Sequence, residues 1–116
     1  MLPGLFLLAL STVTIFALAP PPAVPQPFHV WDKLQHGIAY AALAWLGGMA
    51  FPARHLLLIC GLVLHGAAIE VMQATLTSTR HGDPRDWLAD CMGVAIGLLA
   101  LAAWKRWAPR SARSAR

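Results

Sequence analysis

An all-α bundle of four membrane-spanning helices is the fold class this sequence predicts, and three observations predict it. Hydrophobic residues make up 58% of the 116 positions and charged residues only 12%, with a mean hydropathy of +0.58, so most of the chain is unsuited to a water-facing surface. The apolar residues gather into four runs long enough to be read as bilayer crossings, at residues 2–19, 34–51, 55–76 and 86–104. At about 20 residues per crossing, four crossings use roughly 80 and leave room only for short loops and a tail. The lipid bilayer is therefore the expected partner. The net charge of +4 reads as membrane topology and excludes a nucleic-acid binder.

The first run, Leu2 to Ala19, ends at the Pro-rich segment Pro20 to Pro27, which cannot continue a helix. Ala17-Leu18-Ala19 has the small-residue look of a signal-peptide cleavage site. No basic leader precedes it and Pro20 would follow the cut, so a retained span is expected. The second run ends at Phe51-Pro52-Ala53-Arg54, a turn that fits a hairpin between antiparallel helices. The polar stretch Thr77 to Arg85 separates the third run from the fourth, with Pro84 marking the boundary near Asp86. Residues 1–104 thus form one domain, and residues 105–116 a basic cytoplasmic tail.

Arg54, Lys105, Arg106, Arg110, Arg113 and Arg116 fall on one side of this arrangement, and Lys33, Arg80 and Arg85 on the other. The positive-inside rule then puts both termini in the cytoplasm, as expected of a multi-pass protein of a bacterial cytoplasmic (inner) membrane. Trp104 and Trp107 suit the inner interface, and Trp31 and Trp87 the outer one. Cys60 and Cys91 fall at different depths and are expected to be unpaired packing residues.

With that orientation the acids all lie toward the outside. Asp32, Lys33 and His36 open the second span with Tyr40 a turn deeper; Glu70 and Gln73 lie in the outer third of the third span; Asp86 and Asp90 open the fourth. His36, Tyr40, Leu43 and Gly47 share one helix face, Gly66, Glu70, Gln73 and Thr77 a second, and Asp86, Asp90, Gly93 and Gly97 a third. Each stripe sets polar groups at the outside and a small residue deeper in or alongside. Gly47, Gly66, Gly93 and Gly97 are accordingly expected at helix contacts, and Gly93-x-x-x-Gly97 is a small-xxx-small motif, within the chain or across a homodimer. A carboxylate exposed to lipid costs a few kcal/mol even on lenient scales, so Glu70 and Asp90 require partners, with His36, Lys33, Arg80 and Tyr40 at matching depth. Asp83 and Arg85 read as solvated loop charges. His65 is rotated about 140° from Glu70 and is expected to bond a backbone carbonyl.

The ordered set Asp32-Lys33-x-x-His36-x-x-x-Tyr40, Glu70-x-x-Gln73, Arg80, Asp83, Asp86, Asp90, Gly93 and Gly97 resembles the VanZ-like family of small bacterial membrane proteins. The resemblance spans about Asp32 to Gly97. It implies a four-helical membrane fold and a cell-envelope setting; the family's namesake is associated with resistance to the glycopeptide antibiotic teicoplanin. Members often have Asn where this chain has Asp90, and a bulky apolar residue where it has Gly37. Asp90 therefore adds an ionisable group to the family's polar set.

Three functions follow as expectations. The polar cluster binds a glycopeptide or a lipid-linked envelope ligand; or it is an intramembrane enzyme acting on a lipid-linked phosphate, with Glu70 or Asp90 as base, His36 as acid or metal ligand and Arg80 as phosphate clamp; or it is part of a proton or ion pathway. A network that only fixes helix register is the structural alternative. Non-enzymatic binding is favoured, because no Ser or Cys sits beside a base and no ligand spacing is as diagnostic as His-Glu-x-x-His. The sequence accordingly assigns no metal and no cofactor.

Overall fold

Four apolar stretches broken by proline, glycine and short polar segments fold as four helices: α1 (Leu2–Leu18), α2 (His29–Ala50), α3 (His55–Leu76) and α4 (Pro84–Trp107). The computed structural model describes residues 1–19, 29–78 and 82–108, residues 29–32 by their backbone alone. The Pro-rich connector Pro20 to Pro27, Arg80, the side chains of Trp31 and Asp32, and the tail arginines Arg110, Arg113 and Arg116 lie outside what is described. No strand occurs among the described residues.

The helix ends have local causes. Pro3 occupies the first turn of α1, where its missing N–H is not needed. Between α2 and α3, Phe51 N–H closes back on Gly47 O at 2.8 Å and Arg54 N–H on Phe51 O at 3.1 Å, making the tight hairpin. Two boundaries differ from the hydropathy reading. Helix α2 begins at His29 rather than near Leu34, because polar Asp32 and Lys33 end the apolar run without opposing helical backbone. Helix α4 begins at Pro84, with Asp83 as its N-cap accepting from Arg85 N–H, and continues through Lys105 and Arg106 to Trp107. Those two cations belong to the last turn, where they complement the helix dipole, and not to a separate tail.

Helices α3 and α4 are long and apolar enough to cross a membrane; α1, at 17 residues, is apolar but shorter. Helix α2 carries Lys33, Gln35 and His36 in its first turns, which dilutes its apolar content. Much of the outer surface is nonetheless aliphatic: Leu7, Leu8 and Ile15 on α1, Leu57 and Leu64 on α3, and Leu99 on α4 are all exposed. An apolar surface of that extent is unusual for a protein facing water.

The helices pack antiparallel in sequence order, so α2 and α4 run parallel and make the most extensive contact. Their register is set by glycine. A Cβ on Gly93 would collide with the carbonyl oxygen of Gly37, and one on Gly97 with that of Ala41. The two backbones therefore touch directly, as small-xxx-small helix pairs do. At the end away from Lys33 the core closes around Phe6, whose ring meets Phe51 edge-on at 5.7 Å and lies against Gly47 and Leu58. Tyr40, Leu43, Ala44, Leu62 and Val94 fill the middle. Cys60 is exposed, and so not the packing residue expected; Cys91 is half-buried, and both are unpaired thiols.

Widening Gly97 tests this register. Gly97→Val should separate α2 from α4 and cost about 1–3 kcal/mol or more, seen as a lower unfolding temperature of the detergent-solubilised chain. Gly61→Ala, at an exposed position with nothing within 4 Å of the added carbon, should hold or raise it, since Ala is the better helix former.

Candidate functional site: a carboxylate and histidine cluster between three helices

The parallel register of α2 and α4 places their polar first turns side by side. Lys33 on α2 donates from Nζ to Asp86 Oδ1 at 2.9 Å and to Asp83 Oδ2 at 3.1 Å. One turn further along, His36 Nδ1 lies 2.9 Å from Asp90 Oδ1. His36 Nε2 faces Asp86 Oδ2 at 3.8 Å. When Asp90 is ionised it can only accept, and the short contact is then a donation from Nδ1–H. The same 33/86 and 36/90 pairing continues directly into the 37/93 and 41/97 backbone contacts. Close helix approach thus both aligns these groups and removes them from solvent: Asp86 is 5% exposed and Asp90 1%.

Helix α3 closes the third side, running in the opposite direction so that its last turns meet the first turns of α2 and α4. Glu70 Oε2 accepts from Asp83 N–H at 2.8 Å, which ties α3 to the start of α4. Trp87 donates its indole N–H to Val63 O at 3.0 Å, a second tie between the same helices and an inward role for a residue expected at the interface. Gly66, one turn before Glu70, leaves a gap into which Asp90 Oδ2 points; a Cβ there would lie 2.9 Å from that oxygen. Glu70, Gln73 and Asp90 are all buried, and each has one oxygen without a hydrogen-bond partner among the described residues: Glu70 Oε1, Gln73 Oε1 and Asp90 Oδ2. Buried acceptors are seldom left unpaired, since each costs about 1–3 kcal/mol or more in lost hydration.

His65 does not bond a backbone carbonyl, the partner its place in the sequence suggests. Its Nδ1 lies 2.7 Å from the Tyr40 hydroxyl and its Nε2 2.8 Å from Thr14 Oγ1, while Thr14 Oγ1 also lies 2.8 Å from Leu10 O. Thr14 has one proton, and the carbonyl can only accept, so Thr14 donates to Leu10 O and accepts from His65 Nε2–H. Tyr40 then donates to His65 Nδ1. Every group is satisfied by a neutral imidazole, and the chain of bonds ends on a helix carbonyl. It fastens α1 to α2 and α3, with Gln73 Nε2–H donating to Ala17 O at 2.8 Å as a second fastening.

Of the residues expected at the site, Lys33, His36, Glu70, Asp86 and Asp90 meet in one cluster. Tyr40 and Gln73 bond to α3 and α1 instead, and Arg80 and the Asp32 side chain are outside the described residues. Asp83 keeps the solvent exposure that the sequence suggests but does more than a loop charge: it caps α4, pairs with Lys33 and holds Glu70 through its own N–H. The signal is present in the sequence, since Asp immediately before Pro is a common way to open a helix. Gly37 and Ala41, which receive Gly93 and Gly97, also escape the sequence reading, although they are themselves spaced by four. An apolar cavity of about 260 Å³ bounded by α1, α3 and the hairpin, with Phe6, Leu10 and Leu62 in its wall, is a separate feature that offers few polar groups.

Comparison with family models, curated proteins and solved structures returned no match.

The bonding sets two expectations. The backbone N–H of Arg85 and then the Lys33 ammonium hold the Asp83 carboxyl below the ordinary carboxylate value. Its stabilising contribution should be complete above about pH 3.9 and fade as pH falls through the lower folded value. The unfolding-temperature gap between the native chain and Asp83→Asn should therefore be open at pH 7 and narrow as pH falls below the ordinary carboxylate range. Separately, Tyr40→Phe should leave His65 Nδ1 without its donor and cost about 1–3 kcal/mol in thermal unfolding. Thr12→Ala, which loses only an exposed bond to Leu8 O within its own helix, should cost far less.

Proposed function

We propose that this chain is a four-span protein of the bacterial cytoplasmic membrane, VanZ-like in character, whose polar cluster faces the cell envelope and binds a polar envelope ligand. Both termini and the Phe51–Arg54 hairpin face the cytoplasm in this reading, in keeping with the distribution of Lys and Arg. The observation that carries it is the pair of buried carboxylates with spare acceptors, Glu70 Oε1 and Asp90 Oδ2. A cluster serving helix register alone would be expected to pair its own groups fully. Unpaired acceptors instead favour a ligand that brings donors or positive charge. A glycopeptide or a lipid-linked cell-wall intermediate carries amide and hydroxyl donors and reaches the bundle from the envelope side.

The binding reading is preferred to the catalytic and conductive ones on two grounds. The described cluster has no hydroxyl or thiol nucleophile beside His36, and the hydrogen-bonded chain through His65 stops at Leu10 O. An enzyme acting on a lipid-linked phosphate would also draw on Arg80, for which the sequence alone speaks.

Expressed in a host lacking the chain, the native protein should alter sensitivity to teicoplanin-type drugs, and Glu70→Gln and Asp90→Asn should return it to the host level at equal membrane abundance. Unchanged sensitivity in both variants would remove the site from the activity. Topology is tested in a cysteine-free background. Ser78→Cys should react with a membrane-impermeant maleimide in intact cells and Ala53→Cys only after permeabilisation; the reverse pattern would place the cluster on the cytoplasmic side.

A further inference from the structure

We infer that His36, Glu70 and Asp90 form a three-ligand site for a divalent transition-metal ion of the zinc class, with one coordination position left open. This rests on the same cluster as the ligand reading above and names the chemistry at its centre. One donor atom from each of the three residues lies within 4.8 Å of the others. An ion bonded at about 2.0–2.2 Å to nitrogen and oxygen sets tetrahedral neighbours roughly 3.4 Å apart. The widest pair must therefore close by at most roughly 1.4 Å, and the 2.9 Å His36–Asp90 contact must open by about 0.5 Å as the ion replaces the shared proton.

Three further features point to an ion. Glu70 and Asp90 are more than nine-tenths buried, and each carries an oxygen that no group among the described residues satisfies. Asp90 Oδ2 is directed across to α3, where the missing side chain of Gly66 lets it sit one turn from Glu70. Charge also balances among the three residues: a dication offsets two carboxylates with His36 neutral, whereas two ionised carboxylates and one imidazolium would together carry one net negative charge in a low-dielectric interior.

The donor set selects the class of ion. Calcium and magnesium demand six or more oxygens, often including backbone carbonyls and several waters, and an imidazole is a poor ligand for either. One imidazole and two carboxylates suit zinc, with three protein ligands and a fourth position for water or an incoming group. Binding replaces the Nδ1 proton of His36, which leaves to solvent, and the imidazole carries its remaining proton on Nε2. That N–H faces Asp86 Oδ2 at 3.8 Å, and Asp86 is in turn held by Lys33. Asp86 is thus placed as a positioning residue: beyond hydrogen-bond distance of Nε2 as the chain stands, it completes the carboxylate–imidazole–metal arrangement when the ion draws the ring into place.

The test uses the full chain, purified in detergent, stripped with EDTA and titrated with Zn2+ and, separately, Co2+. The native chain should bind about one equivalent of Zn2+, and Co2+ should develop the visible absorption of a four-coordinate site. Glu70→Gln and Asp90→Asn should each weaken Zn2+ binding at least ten-fold, and Asp86→Asn by about 10–100-fold, with helical content and monodispersity unchanged. A Cys60→Ser, Cys91→Ser chain should bind as the native one does, excluding thiol ligands. No Zn2+ bound by folded native chain, binding insensitive to Glu70→Gln and Asp90→Asn, or binding lost with the cysteines would each overturn the inference. Zn2+ binding without any effect on drug sensitivity would retain the metal site and discard the envelope-ligand reading. Drug sensitivity that depends on Glu70 and Asp90 in a chain that binds no Zn2+ would do the opposite.

Discussion

The backbone contact between α2 and α4 is the constraint on which the rest of the molecule depends. Where Gly93 and Gly97 replace side chains with hydrogen, the two helices come together at the carbonyls of Gly37 and Ala41, and because they run parallel their polar first turns are brought level. Lys33 then meets Asp86, and His36 meets Asp90. A wider helix separation would pull the same residues apart and let solvent or lipid between them. Burial of the acids and closeness of the helices are thus one physical event, and neither is stable alone: a buried carboxylate needs the imidazole, and the imidazole reaches it only across a glycine seam.

Helix α3 turns this two-helix seam into a site. It contributes Glu70, anchored to the N-terminal end of α4 by Asp83 N–H, and it contributes absence, since Gly66 leaves room beside Asp90. Helix α1 supplies none of the cluster's side chains. It is secured from the flank by Thr14 through His65 and by Ala17 O through Gln73. These bonds explain why two polar residues of α3 point away from the carboxylates: one face of that helix serves the site and the neighbouring face serves assembly.

Hydropathy locates all four helices because long apolar runs separated by Pro52, Pro84 and the Pro20–Pro27 segment leave few other readings. It misjudges the starts of α2 and α4 because hydropathy records which residues tolerate lipid, while a helix continues as long as the backbone and its caps allow. Lys33 and Arg85 are polar, yet helical. Depth along each helix is also legible, from counting residues, and so the grouping of His36, Glu70, Asp86 and Asp90 at one level needs no coordinates. Rotation about each helix axis is less so. The face occupied by His65 follows from its angle to Glu70, but what lies opposite that face is Thr14 and Tyr40 from two other helices, and no spacing within α3 carries that information.

The sequence by itself determined an all-helical chain, four helices, and a concentration of ionisable residues toward one end, because composition and local backbone chemistry act over a few residues at a time. Tertiary structure alone decided which helices adjoin, that α2 and α4 meet backbone to backbone, and which oxygens are left unpaired. The donors of the candidate metal site come one from each of three helices, so their nearness is a property of packing across sequence separations of 34 and 20, from His36 to Glu70 and from Glu70 to Asp90. A linear motif can announce ligands that one helix holds together, as successive turns of a single coil; it has no means of announcing ligands that only the closing of a bundle makes neighbours.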